Sequence, residues 1–115
     1  MDTVTTEEME RMLEDPDTLV INVLDEEQFE RAHLPESESV PLSEPDFVDR
    51  VEALVQDKDT PVVVYCAGPD CDASPRAAKM LTRAGFARVF DYEGGMEAWI
   101  AAGNDVERAE TASLH

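Results

Sequence analysis

Pro61-Val62-Val63-Val64-Tyr65-Cys66, followed by Ala67-Gly68-Pro69-Asp70-Cys71-Asp72-Ala73-Ser74, is the stretch that decides the fold. The apolar run is β-branched and too brief for a helix, so it reads as a strand buried on both faces. Glycine and proline then turn the chain into a loop. An amphipathic helix is expected from Pro75 to Ala84, burying Ala77, Ala78, Leu81 and Met80 and ending at Gly85. The thiol of Cys66 is therefore expected at the carboxyl end of a buried strand, facing a loop that feeds a helix N-terminus. Backbone N–H groups converge in such a loop, and the helix dipole favours an anion there.

Outward from that unit, strands and helices alternate. Thr5 and Glu8 fit a capping box, predicting a helix over Thr6 to Leu13 that Asp15-Pro16-Asp17 stops. Leu19-Val20-Ile21-Asn22-Val23 reads as a second buried strand. Asp25 caps a short helix running to Ala32, and Glu38-Ser39-Val40 reads as a small strand. Ser43 or Glu44 opens another helix, with Phe47, Val51, Leu54 and Val55 as one apolar stripe. Arg88-Val89-Phe90-Asp91 is a strand, Gly94-Gly95 a turn, and Met96 to Ala102 a helix ended by Gly103. The pattern predicts an α/β fold with a mostly parallel central sheet of about five strands and helices on both faces. Ligands of such sheets sit at the carboxyl ends of the strands, where Cys66 lies. Residues 1–115 read as one domain, with a core over about 5–107 and a frayed tail over 108–115.

Charge narrows the partners. The 115 residues hold 27 Asp and Glu against 9 Lys and Arg, a net charge of −18. Such a surface disfavours nucleic acid, and no cationic amphipathic segment offers a membrane-surface site. No basic-plus-apolar leader and no long apolar run is present, so a cytoplasmic chain is expected. The acid is concentrated in residues 1–57, with 18 acidic and 3 basic groups, and the cysteine-bearing half is close to neutral. Abundant Asp and Glu with only two lysines, Lys58 and Lys79, resembles the proteins of salt-accumulating archaea. High salt screens the self-repulsion of such a surface.

Two cysteines occur, Cys66 and Cys71. In a reducing compartment they read as free thiols and not as a structural staple. By position alone, Cys66 is either a buried structural thiol or a nucleophile whose pKa the loop amides and the helix dipole lower. Cys71 either fills a small apolar gap or attacks an oxidised or persulfidated Cys66 to leave a disulfide. A zinc site is not expected from two thiols at this spacing, and no cofactor is called for. His33 reads as a structural hydrogen-bonder and Trp99 as a packing residue.

Val63-Val64-Tyr65-Cys66-Ala67-Gly68, Ser74, Ala77-Ala78, Leu81, Gly85-Phe86, Val89, Gly94-Gly95, Ala98-Trp99 and Gly103 together resemble the single-domain rhodanese-like family. Leu19-Val20-Ile21-Asn22-Val23, Phe29, His33-Leu34-Pro35 and Val40-Pro41-Leu42 look like that family's first characteristic stretch. The resemblance implies a sulfurtransferase. Cys66 would take a sulfane sulfur, from thiosulfate or a persulfide donor, hold it as a persulfide and pass it to a nucleophilic acceptor. The loop of Ala67, Gly68, Pro69, Asp70, Asp72, Ala73 and Ser74 would be its cradle, with Arg76 as an anion contact. No metal and no cofactor is implied, and the partner would be a small sulfur donor or a persulfide-bearing protein.

The chain also departs from that family's pattern. The usual Asp-Val-Arg is Asn22-Val23-Leu24, the glycine before the histidine is Ala32, and the cradle is longer. Members with longer loops include phosphatases and arsenate reductases, which close the loop with an arginine where this chain has Asp72. Asp70 and Asp72 oppose a small dianion, and Arg76 offsets them only in part. Two further readings follow: a thiol-dependent reductase, arsenate-reductase-like, using Cys66 and Cys71 as a redox pair, and a non-catalytic rhodanese-like binding module.

Overall fold

The computed structural model describes residues 2–108. The expected tail beyond Arg108 lies outside the described residues. Ten elements follow one another: β1 (Asp2–Thr3), α1 (Thr6–Leu13), β2 (Leu19–Asn22), α2 (Glu26–Arg31), β3 (Ser37–Ser39), α3 (Phe47–Leu54), β4 (Val62–Tyr65), α4 (Ala73–Arg83), β5 (Val89–Tyr92) and α5 (Gly95–Ala101). The strands form one sheet in the order β1-β5-β4-β2-β3, and every pairing is parallel. This is the α/β architecture expected from the sequence, with β4 in the middle of the sheet.

Alternation along the strands divides the core in two. Val62, Val64 and Cys66 pack with Ile21, Val23, Phe47, Val51, Ala77, Ala78, Leu81 and Val89. Val63 and Tyr65 point the other way, joining Met9, Val20, Leu34, Tyr92, Met96 and Trp99. A parallel sheet covered on both faces requires this doubly apolar reading of its strands. Tyr65 brings a hydroxyl into the second cluster, and it is fully used. Asn22 Nδ2 donates to it at 3.1 Å, the Leu34 N–H at 3.0 Å, and Ser37 Oγ lies 2.9 Å away.

Local signals set most boundaries. Thr5 and Glu8 form the capping box, with Glu8 N–H donating to Thr5 Oγ1 at 3.1 Å and Thr5 N–H to Glu8 Oε1 at 2.8 Å. One strand is added and three expectations are corrected. The strand β1 pairs with β5 in register Thr3 to Asp91, although its two exposed residues give no apolar signal. Helix α3 starts at Phe47 with Asp46 as its cap, because turns occupy the Pro45 region. Leu54 is 43% exposed and Met80 40%, so both leave the apolar stripes assigned to them. Helix α4 opens at Ala73, two residues before Pro75. Ala32 takes the place of the usual glycine without strain, since its φ of −170° is extended backbone.

Candidate active site

Cys66 continues the Val62, Val64 side of β4 and is 1% exposed. The chain leaves the strand there, turns through Ala67 to Asp72, and enters α4 with Asp72 as the N-cap. Cys66 Sγ lies 3.5 Å from Ser74 Oγ and 3.6 Å from the carbonyl oxygen of Cys71. The one thiol proton therefore has two acceptors within reach. Cys71 N–H closes the turn on the Gly68 carbonyl at 3.1 Å.

Helix α5 holds the start of the loop from the other side. Met96 N–H donates to the Cys66 carbonyl at 3.0 Å and Glu97 N–H to the Ala67 carbonyl at 2.9 Å. In a planar trans peptide the N–H points opposite its carbonyl, so the amides of Ala67 and Gly68 are aimed away from these donors. The Gly94-Gly95 turn permits this approach. Gly95 has φ +57°, and a Cβ there would overlap the Cys66 carbonyl oxygen. The first turn of α5 is thus occupied by loop carbonyls. The Glu97 side chain lies across Gly68, in the space a larger residue would take.

Burial pushes the Cys66 thiol pKa up, and the Cys71 side chain adds to that. The hydroxyl and N–H of Ser74 oppose the rise without overcoming it. The thiol is therefore raised, not lowered as the loop and dipole alone led us to expect. Desolvation outweighs the helix terminus, and a carbonyl as well as donors faces the sulfur.

The other loop residues divide by exposure. Ser74 is buried, Gly68 is buried, and Cys71 and Ala73 are half-buried. Ala67, Pro69, Asp70 and Asp72 are exposed. Arg76 is exposed on α4 and approaches Asp72 at 3.9 Å. It also borders a groove of about 280 Å³ beside the loop, lined with Val23, Leu24, Leu42 and Ala73 among others. A larger concavity, about 460 Å³, lies at the amino ends of β4 and β5 and includes none of these residues. His33 is tied into the frame: Nδ1 is 2.8 Å from the Phe29 carbonyl, its ring stacks on Phe29, and its backbone pairs with Glu107. Trp99 is buried and donates to the Asp105 carbonyl at 2.8 Å. Among the described residues no His, Cys, Asp and Glu group of three or more is placed to hold a metal.

One residue of this region was not singled out from the sequence. Asp91 is 1% exposed, and neither carboxyl oxygen has a hydrogen-bond partner of normal geometry. It follows Val89 by two residues on β5, which places it on the Cys66 face of the sheet. Its only sequence signal is a charge inside the apolar strand Val89-Phe90-Asp91-Tyr92.

Comparison with known proteins agrees with this frame. The rhodanese-like domain family matches residues 5–102, and the chain belongs to that family. The solution structure of the rhodanese-like domain of the Alr3790 protein from Anabaena sp. superposes with a TM-score of 0.82. It is 25% identical, over 99% of this chain and 84% of that one. A thiosulfate sulfurtransferase from Pseudomonas aeruginosa superposes with a TM-score of 0.81 at 27% identity, over 95% of this chain and 20% of that one. The HTH-type transcriptional regulator Rv0324 of Mycobacterium tuberculosis is 30% identical over 92% of this chain and 45% of its own length. The chain spans less than half the length of the curated relatives it matches.

Proposed function

We propose that this domain is a sulfurtransferase that carries sulfane sulfur as a persulfide on Cys66. The observation that carries the reading is the placement of Cys66 Sγ. It sits at the carboxyl end of the central strand, one loop from the first turn of α4, with Ser74 Oγ 3.5 Å away. Uptake is a displacement. The Cys66 thiolate bonds to the outer sulfur of a donor, and the donor's sulfur–sulfur bond breaks with its electron pair on the leaving group. An acceptor thiolate then attacks the same outer sulfur, and Cys66 departs as thiolate. The Ser74 hydroxyl and N–H stabilise the anionic sulfur in both steps.

The donor we infer is a neutral small persulfide, or one presented on a protein, rather than free thiosulfate. Asp70 and Asp72 flank the loop, Glu97 lies across Gly68, and Arg76 is the cation beside them. At equal concentration, a neutral alkyl persulfide should turn over about tenfold faster than thiosulfate at low salt. Sulfide release to a thiol acceptor measures it, and faster turnover with thiosulfate would reverse the assignment.

A second reading rests on Cys71. Its side chain is near enough to raise the Cys66 pKa, and its carbonyl is 3.6 Å from Cys66 Sγ. Attack of the Cys71 thiolate on Cys66 Sγ of the persulfide would form the disulfide and release hydrosulfide. The two thiols are oxidised and the sulfane sulfur is reduced. On this second reading, and in place of the loaded form that the first predicts, removing the persulfide donor leaves a wild-type species about 2 Da lighter than the reduced chain, absent in Cys71→Ser. A wild-type mass that never falls would exclude the resolving role and, with it, the redox-pair reductase.

We also read the acidic surface as an adaptation to high salt. The melting temperature should rise by roughly 10 °C between dilute buffer and about 2 M KCl, as like charges are screened. A flat or falling series would count against it.

A further inference from the structure

The groove beside the active-site loop has charged edges and an apolar floor. Val23, Leu24, Leu42 and Ala73 make the floor, and all four pack with the cluster that holds Cys66. Two of them mark the end next to the thiol. Val23 N–H donates to the Tyr65 carbonyl at 3.1 Å, which seats it beside the Tyr65–Cys66 peptide. Ala73 precedes Ser74, whose Oγ is 3.5 Å from Cys66 Sγ. The volume, about 280 Å³, lies just below the ~300–1,000 Å³ of drug-sized sites, which suits a ligand of amino-acid size.

Asp25 and Arg76 border this groove from different elements. Asp25 is the N-cap of α2, where a carboxyl ordinarily turns back onto the first helical N–H groups. Here it makes no such bond, and Ser43 Oγ, on the segment after β3, meets it at 3.4 Å instead. Its remaining acceptor capacity is free for a ligand. Arg76 comes from α4 and is the one cation among the wall residues. Asp72 approaches it at 3.9 Å, beyond hydrogen-bond length, so the guanidinium keeps its donors. Among the described residues Asp25 and Arg76 form no ion pair with each other. Leu24 stands where the family pattern has an arginine, so a cation enters this groove from the α4 side only.

One acidic edge and one basic edge across an apolar floor match a zwitterion. A simple alkyl group would use the floor alone, and a small dianion would use Arg76 against Asp25. We propose, building on the reading of Cys66 as a sulfur carrier, that the groove is the donor subsite and selects an amino-acid hydropersulfide, with Asp25 and Arg76 as specificity-determining residues. The α-carboxylate takes the Arg76 guanidinium, whose planar fork fits it. The α-ammonium takes Asp25. The methylene and inner sulfur lie on the floor toward Val23 and Ala73. In uptake the Cys66 thiolate bonds to the outer sulfur, and the sulfur–sulfur bond breaks with its electron pair on the inner sulfur. The outer sulfur keeps its hydrogen, so Cys66 becomes the hydropersulfide and the amino-acid thiolate is left in the groove.

S-Methylcysteine tests the site apart from the chemistry, because a methyl stands in place of the outer sulfur and no sulfur can be transferred. It is titrated into the isotope-labelled full chain at fixed KCl concentration while amide shifts are followed. Saturable shifts at Val23, Leu24, Ala73 and Arg76 are expected, with a dissociation constant of about 1–10 mM. Arg76→Gln and Asp25→Asn should each raise it about fivefold. Both residues are exposed, and the spectrum of each variant establishes that it folds. N-Acetyl-S-methylcysteine, which lacks the ammonium, should bind about fivefold more weakly and be indifferent to Asp25→Asn. No saturable shift at the groove up to about 50 mM, or an affinity for S-methylcysteine that either substitution leaves unchanged, would overturn the proposal. Binding with these dependences, but no gain of about 32 Da at Cys66 from cysteine hydropersulfide, would leave the zwitterion site standing and count against the sulfurtransferase reading alone.

Discussion

Alanine in place of Cys66 should abolish sulfur uptake and lower transfer to a thiol acceptor by about 10⁴-fold. The loss is that large because no other group near the loop can take the outer sulfur in the same geometry. Cys71 is half-buried, its N–H closes the turn on the Gly68 carbonyl, and its own carbonyl faces the Cys66 sulfur. The substitution also separates chemistry from stability. Cys66 packs among Val64, Ala77 and Ala78, so trimming it removes one buried sulfur and costs about 1 kcal/mol. The variant should therefore fold and melt only a few degrees lower, at roughly 4–8 °C per kcal/mol. Turnover measured on the folded variant tests this. Activity within about tenfold of wild type would place the nucleophile elsewhere.

Gly95→Ala should be the most damaging substitution outside the thiol itself. A left-handed backbone costs a non-glycine residue roughly 1–2 kcal/mol. Here the added Cβ also overlaps the Cys66 carbonyl oxygen, a backbone atom that cannot swing aside. To relieve it, α5 must withdraw from the loop, which weakens Met96 N–H to Cys66 O and Glu97 N–H to Ala67 O. Each is worth about 1 kcal/mol. A total near 3 kcal/mol is expected, with a melting point lower by about 15 °C. Transfer activity should fall as well, since the same two bonds orient the peptides next to Cys66. Denaturant unfolding measures the first effect. A change within about 0.5 kcal/mol would mean that α5 does not clamp the loop.

How far the sequence reveals this molecule depends on which force sets each feature. The run Val62-Val63-Val64-Tyr65 is legible because burial on both faces leaves no other reading, and it fixes Cys66 at the strand's end. The Thr5 and Glu8 cap is legible because it is local. The strand β1 is not, since its two exposed residues are held by main-chain bonds to β5 that no side-chain pattern records. Asp91 is hidden for a related reason. A carboxyl in the last strand reads as a solvent-facing end, and only the packing of α4 over β5 encloses it. Ser74 was visible as a family position, but not its approach to the Cys66 sulfur. The direction of the Cys66 shift was missed because dipoles and amides can be read from a loop, whereas desolvation comes from residues distant in sequence, such as Ile21 and Phe47.

The carrier role of Cys66 is most directly tested by weighing the intact chain. The reduced protein is incubated with a small persulfide donor in concentrated KCl, desalted without reductant and measured beside Cys66→Ala. The account predicts a gain of about 32 Da, one sulfur atom, in the wild type and in Cys71→Ser, removed by excess thiol and absent in Cys66→Ala. A wild-type mass unchanged with every donor, or the same gain in Cys66→Ala, would contradict it.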